Sequence, residues 1–445
     1  MIKKNINFIN IGERTNVTGS AKFKKLIMSS EAISGPILTS DGIPLKESLK
    51  KSQRRNKIRA FLLVLPLLTF IFITFILPIG EMLTRSVDDK FINTVFPKTF
   101  EVYKKWDKQD LPSEEMYKTM FDEINSAEGF DIGKASTRMN YSKSGWKSLI
   151  KKSQRKFKSI KEGPYKEQMI AADKRWGDIE YWKALGEMVD PLTMGYYLNA
   201  LDLKYDPNKE IISQPENRQI YIHTWIKTFK VSILVTIFCL MLGYPIAYLL
   251  ATLPLKYSNL LMICVLLPFW TSLLVRIVAW MVILQQQGVF NNLMVIAGLI
   301  ADENRWKLMY NETGTIIVMT QILLPFMVLP LYSVMKTISP SYMKAALNLG
   351  ASPLHAFWRI YMPNSIPGIS AGGLLVFIIS IGYFITPELV GGKDGQMIGN
   401  WIAYHLKTTL NWGLCAALGS ILLAVMLVFY WLYNKIIGVE NIKLG

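Results

Sequence analysis

One basic side chain stands where a charge is costly, within the apolar run LLPFWTSLLVRIVAWMVIL, Leu266–Leu284. A lone Arg276 at membrane depth costs at least about 2.5 kcal/mol on insertion scales, so it should face a partner or a watery path. If the run forms one helix, Phe269, Ser272, Arg276 and Trp280 share a stripe, and the guanidinium can lean over the Trp280 indole. The pattern predicts either a structural ion pair or direct contact with a substrate.

Residue patterns typical of catalysis, nucleotide binding or metal binding are missing from the sequence. Gly391-Gly392-Lys393 is followed by Asp394 and lacks the earlier glycine of a phosphate-binding loop. The three histidines lie far apart, outside any HExxH or Cys/His cluster, and the three cysteines lie in apolar runs. We therefore predict no catalytic residue, no metal site and no cofactor bound by this chain. The net charge of +17 fits cytoplasmic anchoring and anionic lipid better than nucleic acid.

A second candidate site lies between two apolar spans, in SPSYMKAALNLGASPLHAFWRIYMP, Ser339–Pro363. Ser339 can cap a helix whose first turn contains Pro340, where the missing N–H costs little. Gly350 stops that helix, and Ser352 with the proline after it begins another. The pattern predicts a short helical hairpin that presents small side chains to a protein partner.

This spacing resembles the EAA loop of ABC-importer permeases. In that family, Glu-Ala-Ala, a glycine four residues after the second alanine and a later Ile-x-Leu-Pro form coupling helices seated in a cleft of the ATPase subunit. The family's small residues let the helix backbone approach its partner closely. The resemblance assigns these places to Ala345, Ala346, Gly350, Ile360 and Pro363, with Lys344 replacing the family's acid and Met362 its leucine.

The Leu266–Leu284 run closely resembles the polyamine-type (spermidine/putrescine) permeases, which read Pro-Phe-Trp-Thr-Ser, a few apolar residues, then Arg and Ala-Trp. GYPIA at 243–247, PELVGG at 387–392 and MIG at 397–399 look like the same family. The resemblance implies half of an import pore for a small cationic solute such as spermidine or putrescine. The implied partners are a second homologous permease subunit, an extracytoplasmic solute-binding protein and an ATPase dimer, which would bind ATP and Mg.

A pathway for polyamines should offer carboxylates and aromatic faces in a low-dielectric setting. Glu388 is the best carboxylate available, whereas Tyr383 stands in a stretch where some putrescine-type relatives carry an acid. For each aromatic residue the alternative is helix packing or an interfacial belt. The predicted lining set is Trp270, Thr271, Arg276, Trp280, Tyr383, Thr386 and Glu388.

These residues must be positioned by membrane spans, each of which needs about 20 apolar residues. Basic residues before the first span and in the 336–367 loop place the loop and both termini in the cytoplasm. The resemblance implies that the membrane is the inner membrane of a bacterium. Small residues and prolines in the later spans indicate closely packed, kinked helices. The six candidate spans lie near Ala60–Gly80, Val231–Leu255, Leu260–Leu284, Thr313–Met335, Gly368–Pro387 and Trp412–Tyr433.

The predicted domains are a polar cytoplasmic tail (1–58), the first span (59–80), an extracytoplasmic insertion (81–222) and the permease core (223–445). The tail has no sustained apolar period. Tryptophans mark the insertion as folded and partly helical, either a packed decoration or a contact surface for a binding protein. One amphipathic helix is predicted from the spacing of Ile179, Trp182, Leu185 and Val189.

The sequence thus predicts an all-α membrane protein with six transmembrane helices, the type I ABC-importer permease fold and an extracytoplasmic insertion. One alternative is a membrane-anchored sensor or scaffold whose 81–222 segment binds a ligand. Another is an importer for an opine, an amino acid or an aminophosphonate. A secondary transporter is less favoured, because no pair of matching broken segments is seen. Only the importers require the hairpin at 339–363.

Overall fold

The computed structural model describes residues 45–160, 162–206 and 210–437, so most of the predicted 1–58 tail lies outside the described residues. The described part is mostly helical and contains six helices long and apolar enough to cross a membrane, which confirms the predicted fold class. The described residues divide into two compact units, one ending at Ile79 and the other beginning at Gly80. Helix α1 (Leu45–Ile71) of the first unit continues through a π-helical turn at Phe72–Ile76 into α2 (Leu77–Arg85), most of which belongs to the second unit.

The second unit begins with the predicted insertion, which forms short helices joined by brief loops. A small antiparallel hairpin closes the segment, with Leu203 opposite Ser213. Its elements are α3 Lys90–Val95, α4 Pro97–Tyr103, α5 Glu114–Ser126, α6 Gly129–Ser142, α7 Trp146–Phe157, α8 Tyr165–Ala172, α9 Ile179–Ala184, α10 Gly195–Asn199, β1 Leu203–Tyr205 and β2 Ile211–Ser213.

The insertion has its own core, built around three fully buried tryptophans, Trp146, Trp176 and Trp182. The Tyr117 hydroxyl donates to the Trp176 carbonyl at 2.6 Å, and the Trp182 indole donates to the same oxygen at 3.0 Å. Such aromatic side chains each bury about 150–250 Å². The segment is therefore a folded domain and not a linker.

The predicted amphipathic helix at 179–189 is shorter than its apolar spacing suggests. Helix α9 ends at Ala184, and a 3₁₀ turn at Leu185–Met188 follows it directly. Trp182, Leu185 and Val189 are nevertheless buried in the insertion core. The apolar spacing thus located buried residues correctly, although the backbone tightens after one and a half turns.

The permease core follows the insertion and contains the remaining helices. They are α11 Tyr221–Thr252, α12 Leu255–Leu266, α13 Leu273–Leu284, α14 Val289–Ile296, α15 Glu312–Thr337, α16 Pro340–Asn348, α17 Pro353–Ala356, α18 Met362–Ile381, α19 Ile385–Val390, α20 Ile398–Tyr404 and α21 Trp412–Ile437.

Helices α11, α15 and α18 pack around the buried centre of the permease core. A Cβ at Gly372 would lie 3.0 Å from the Met327 carbonyl oxygen, and one at Gly368 would lie 3.0 Å from the Val334 Cβ. Glycine at these two positions lets the backbones of α15 and α18 approach closely. The predicted close packing at Gly368 and Gly372 is confirmed.

Two predicted spans differ from the structure. The Leu260–Leu284 run is not one helix, because a 3₁₀ turn at Leu267–Trp270 and extended residues Thr271 and Ser272 separate α12 from α13. Pro268 lacks an N–H, and its ring disfavours a continuous α-helix. The predicted helical stripe through Phe269 and Ser272 to Arg276 is therefore wrong.

The fifth span also differs, because α18 ends at Ile381 and Pro387 belongs to the separate helix α19. At its other end the span is longer than predicted. Helix α17, a π-helical turn at Phe357–Tyr361 and α18 form one continuous helical stretch over Pro353–Ile381. The second half of the predicted hairpin is thus the beginning of a membrane-spanning helix.

Candidate coupling hairpin and solute path

The predicted hairpin forms, and local hydrogen bonds explain each of its ends. The Ser339 hydroxyl accepts the Ser341 N–H at 3.3 Å at the start of α16. Gly350 has φ +87°, which is the left-handed conformation that favours glycine. Around it the Gly350 N–H donates to Leu347 O at 3.0 Å and the Ala351 N–H donates to Ala346 O at 3.1 Å, a Schellman motif. These contacts turn the chain sharply between α16 and α17.

Aromatic rings fix the second helix of the hairpin against the end of α11 that carries Thr252. Phe357 stacks on Tyr361 at 5.8 Å between ring centroids, and Tyr248 packs edge-on against both rings. The Tyr244 hydroxyl lies 3.0 Å from Ser365 Oγ. A displacement of the hairpin would therefore act on α11 and α18 together.

The hairpin leaves a partly apolar surface uncovered. Among the predicted coupling residues, Lys344, Ala345, Gly350 and Pro363 are exposed, Ile360 is half-buried, and Ala346 is buried at the base of α16. The sequence predicts an apolar side for the second helix that includes Leu354, but it did not mark Leu349, which directly precedes Gly350. Leu349 is 89% exposed and Leu354 is 70% exposed.

Arg276 lies on α13 close to a second predicted residue. Its guanidinium is near enough to the Tyr383 hydroxyl to interact with it electrostatically. Its Nε is buried and has no hydrogen-bond partner among the described residues. The Trp280 indole, one turn further along α13, donates to the Gln321 side chain at 3.0 Å. The structure therefore places the Arg276 charge within electrostatic range of Tyr383 and attaches Trp280 to Gln321 of α15.

Glu388 and Thr386 lie on the short helix α19, which packs against α13. The Glu388 side chain is exposed, and its Oε2 accepts a hydrogen bond from Asn400 Nδ2 at 2.7 Å. The same Asn400 amide donates to the Phe384 carbonyl at 3.0 Å, which fixes its orientation. The Thr386 hydroxyl is buried and has no partner among the described residues. One carboxylate is thus held in position with its charge accessible.

Trp270 and Thr271 lie on the linker between α12 and α13. Trp270 is 74% exposed, and the Thr271 hydroxyl donates to the Pro268 carbonyl at 2.9 Å. Thr271 is extended and directly follows the 3₁₀ turn, so its hydroxyl can reach back to the Pro268 carbonyl. Their predicted part in a solute path stays a prediction.

The glycines of the PELVGG segment permit a close backbone contact that sequence spacing alone did not explain. A Cβ at Gly391 would lie 2.6 Å from Thr315 Oγ1 on α15, and Gly392 has φ +57°. Beside them the Tyr310 N–H donates to the Val390 carbonyl at 2.7 Å. This tight turn anchors the end of α19, and therefore Glu388, to the beginning of α15.

Comparison with known proteins identifies the family of the core. Residues 231–437 match the model of the binding-protein-dependent transport system inner membrane component. The chain is 35% identical over 222 residues to the spermidine/putrescine transport system permease protein PotB of Escherichia coli (strain K12), covering 49% of this chain and 80% of that protein. This chain belongs to that family of inner-membrane transport components. The permease is a multi-pass inner-membrane subunit of an ABC transporter.

Other relatives extend the similarity of the permease. It is 34% identical over 222 residues to the PotB protein of Haemophilus influenzae, covering 49% of this chain and 77% of that protein. It is 28% identical over 279 residues to the inner membrane ABC transporter permease protein YdcU of Escherichia coli (strain K12), covering 59% of this chain and 86% of that protein. The permease is also similar to a chain in the crystal structure of a bacterial alginate ABC transporter in complex with an alginate pentasaccharide-bound periplasmic protein. The identity is 19%, the match covers 48% of this chain and 77% of that chain, and the TM-score is 0.40.

The insertion is joined to the permease core by side chains that bond to α21 and to the loop before it. The Tyr141 hydroxyl donates to the Thr409 carbonyl at 2.6 Å, and the Tyr197 hydroxyl lies 2.9 Å from Ser420 Oγ. Tyr196 packs where a side chain at Gly413 would collide with its ring. These contacts attach the insertion to the beginning of the last span.

A buried ion pair holds that joint in shape. Arg138 donates to both oxygens of Asp89, at 2.8 and 2.5 Å, and the Tyr196 hydroxyl donates to Asp89 Oδ1 at 2.9 Å. Asp202 then accepts the N–H groups of residues 220–222 at 3.0, 3.0 and 2.7 Å. Because these amides begin α11, the insertion also caps the second span.

A buried histidine adds a titratable group to this joint. The His405 Nε2 lies 2.7 Å from the Tyr221 hydroxyl and its Nδ1 lies 3.0 Å from Thr409 Oγ1. Burial lowers the pKa of the His405 imidazole to about 4. The unfolded chain, with a histidine pKa of about 6.5, binds the proton first as pH falls, so protein stability decreases from about pH 6.5 down to pH 4.

We expect His405 to remove about 2 kcal/mol of stability between pH 7 and pH 5. The measurement is the thermal unfolding midpoint of the purified permease at both pH values. His405→Gln, which keeps a polar side chain but does not titrate, should have a smaller pH difference than the parent. Equal pH differences in the two proteins would contradict the assignment.

Proposed function

We propose that the permease forms half of the pathway through which an ABC importer moves a polyamine, such as spermidine or putrescine, into the cell. The observation that carries the substrate class is the 35% identity over 222 residues to a spermidine/putrescine permease. The accessible Glu388 carboxylate and the aromatic rings of Trp270, Trp280 and Tyr383 suit a multiply charged amine. The tyrosine at 383 makes Glu388 the main acidic group of the proposed path.

In this proposal Arg276 does not bind the cationic solute, because like charges repel across a low-dielectric path. Its buried, unpaired Nε and its position beside Tyr383 suit a structural contact at the boundary with the second pore half. The α13 helix is mostly exposed in a single copy of the chain, which leaves that boundary available. Thr386 and Tyr383 would then orient the path around Glu388.

Energy for transport would come from a separate ATPase dimer that binds ATP and Mg and contacts the hairpin at 339–363. The support is geometric, because the α17 end of the hairpin continues directly into the span α18. A movement imposed on Leu349 and Leu354 by the ATPase would therefore tilt a membrane helix without passing through a flexible loop. In this topology the hairpin and both termini are cytoplasmic, and a solute-binding protein delivers solute from outside.

The test is reconstitution of the permease with its encoded neighbours, an ATPase, a second permease and a binding protein, in lipid nanodiscs. We expect spermidine or putrescine bound to the binding protein to stimulate ATP hydrolysis at least fivefold. An amino acid, an opine and an aminophosphonate serve as comparison solutes. Stimulation by one of these and not by polyamines would reject the proposed substrate class. Intact hydrolysis and uptake without any ATPase subunit would reject the proposed coupling.

A further inference from the structure

The insertion lies outside residues 231–437, which match the family model, and its charges are strongly segregated along the chain. Residues 107–131 contain eight acidic and two basic residues. Residues 132–160, which include most of α6 and all of α7, contain nine basic residues and no acidic residue. The insertion as a whole is thus nearly neutral, but its residues 132–160 are strongly positive.

Helix α7 turns its apolar side inward and its cations outward. Trp146, Leu149, Ile150 and Phe157 are buried in the insertion core. The opposite side of α7 has no exposed apolar side chain. We call this surface, together with Lys158 just after the helix, the basic face, and its exposed basic residues are Lys147, Lys151, Lys152, Arg155, Lys156 and Lys158.

Only part of the charge on the basic face is neutralised within the permease. Lys152 donates to Asp173 at 2.8 Å, but the same carboxylate also receives Arg175 at 2.9 Å, and hydrogen bonds from Arg175 and Lys152 hold the pKa of Asp173 well below its usual range. Lys156 donates to the Ala172 carbonyl. In the described ranges the remaining four cations have no ion-pair partner; they are Lys147, Lys151, Arg155 and Lys158.

The basic face borders an open groove of about 320 Å³. The groove is lined by Ser148, Lys151, Lys152, Arg155 and Lys156. The Ser148 hydroxyl is held by Arg175, whose Nη1 donates to it at 2.7 Å and to the Gly145 carbonyl at 2.9 Å. The groove wall is therefore ordered by the 3₁₀ turn at Lys174–Gly177. A positive, solvated concave surface of this kind attracts and orients an anionic partner.

The position of the basic face is fixed relative to the pore. The insertion core carries α7, and the contacts of Tyr141, Tyr196 and Tyr197 join that core to the loop and helix at 409–420. A partner seated on α7 would therefore be held at a constant place beside the outer end of the last span. Through the same contacts, binding of a partner to α7 could shift the conformation of the last span.

We infer that the basic face docks an acidic surface of the extracytoplasmic solute-binding protein, an inference that rests on the proposed function. A cationic solute would be repelled by six cations, so the face is not part of its entry route. A membrane surface fits less well, because interfacial helices insert apolar side chains and those of α7 are buried. A binding protein whose docking surface carries carboxylates would complement the charge of the basic face.

The test uses the complete transporter in nanodiscs of neutral lipid, with labelled, solute-loaded binding protein as the probe. The charge-reversed variant combines Lys147→Glu, Lys151→Glu, Arg155→Glu and Lys158→Glu. We expect its Kd for the binding protein to rise at least tenfold and the salt dependence of binding to flatten, because long-range attraction is lost. Replacing the same four residues by glutamine should give a smaller rise in Kd. This neutral variant still tests the inference if the charge-reversed variant misfolds.

The matched control reverses four exposed lysines of the insertion outside the basic face, and we expect a Kd within twofold of the parent. These lysines are Lys90, Lys104, Lys105 and Lys118. Equal binding by the parent and both basic-face variants would overturn the inference. So would a loss that appears only when anionic lipid is added, since the face would then bind lipid headgroups. Solute uptake by the parent, measured in the same preparations, shows independently whether the proposed function holds.

Discussion

Gly350→Arg should reduce solute-stimulated ATP hydrolysis by the reconstituted transporter more than tenfold while leaving the permease folded. A Cβ at residue 350 would have no heavy atom within 4 Å, so an arginine meets no obstacle inside the permease itself. Its bulk would project beside Leu349, at the tip of the hairpin, where the proposed ATPase contact requires close approach. The measurement compares ATP hydrolysis and uptake in the same nanodisc preparation.

Backbone strain must be separated from bulk in this experiment, because any L-residue at φ +87° is strained by about 1–2 kcal/mol. Gly350→Asn tests the strain, since asparagine tolerates the left-handed conformation better than other residues. We expect it to keep most of the stimulated hydrolysis. If Gly350→Asn and Gly350→Arg were equally inactive, the loss would come from the hairpin's own geometry and not from a blocked contact.

The chain offers a closely matched control at Gly298, which follows α14. Gly298 has φ +70°, and a Cβ there would also meet nothing within 4 Å. Its N–H donates to the Val295 carbonyl and the next N–H donates to Met294, so the Schellman motif is the same. In the proposed topology this turn faces outward. Gly298→Arg should therefore leave stimulated hydrolysis unchanged, and an equal loss there would reject the coupling assignment.

The ends of the hairpin could be predicted from the sequence because the forces that determine them are local. Ser339, Gly350 and Ser352 each act within five residues along the chain, through capping hydrogen bonds or a left-handed backbone angle. The apolar lengths of the spans are local properties as well. For this reason the fold class was predictable before any contact between distant residues was known.

The break between α12 and α13 was not predictable in the same way. Prolines also lie inside α11 and α15, at Pro245, Pro325 and Pro330, without ending those helices. Neighbouring helices and side chains can satisfy the carbonyls that a proline frees in a membrane helix. Whether Pro268 kinks or breaks its span therefore depends on packing that the sequence does not display.

The joint between the insertion and the last span also depends on distant residues. Tyr141 and Thr409 are 268 residues apart, and Tyr197 and Ser420 are 223 apart. Nothing in the local pattern of a tyrosine distinguishes one that packs in a core from one that bridges two domains. The orientation of Glu388 is similar, since it depends on Asn400, which no motif had marked as its partner.

Glu388→Gln should lower polyamine uptake at least tenfold, the largest effect that we expect within the proposed solute path. The substitution preserves the shape of the side chain and an oxygen that can accept the Asn400 N–H, so α19 and α20 should keep their arrangement. What it removes is the negative charge. A tenfold loss corresponds to about 1.4 kcal/mol, which is typical of a hydrogen bond to a charged group.

The dependence on solute charge distinguishes a role in the path from a structural role. If Glu388 contacts the moving solute, uptake of trivalent spermidine and divalent putrescine should fall by different factors, while the affinity of the binding protein stays constant. Asp394→Asn is the control, because Asp394 is an exposed carboxylate on the loop after α19. We expect it to change uptake less than twofold. Unchanged uptake in Glu388→Gln would remove this carboxylate from the path and with it the main acidic contact proposed for a polyamine.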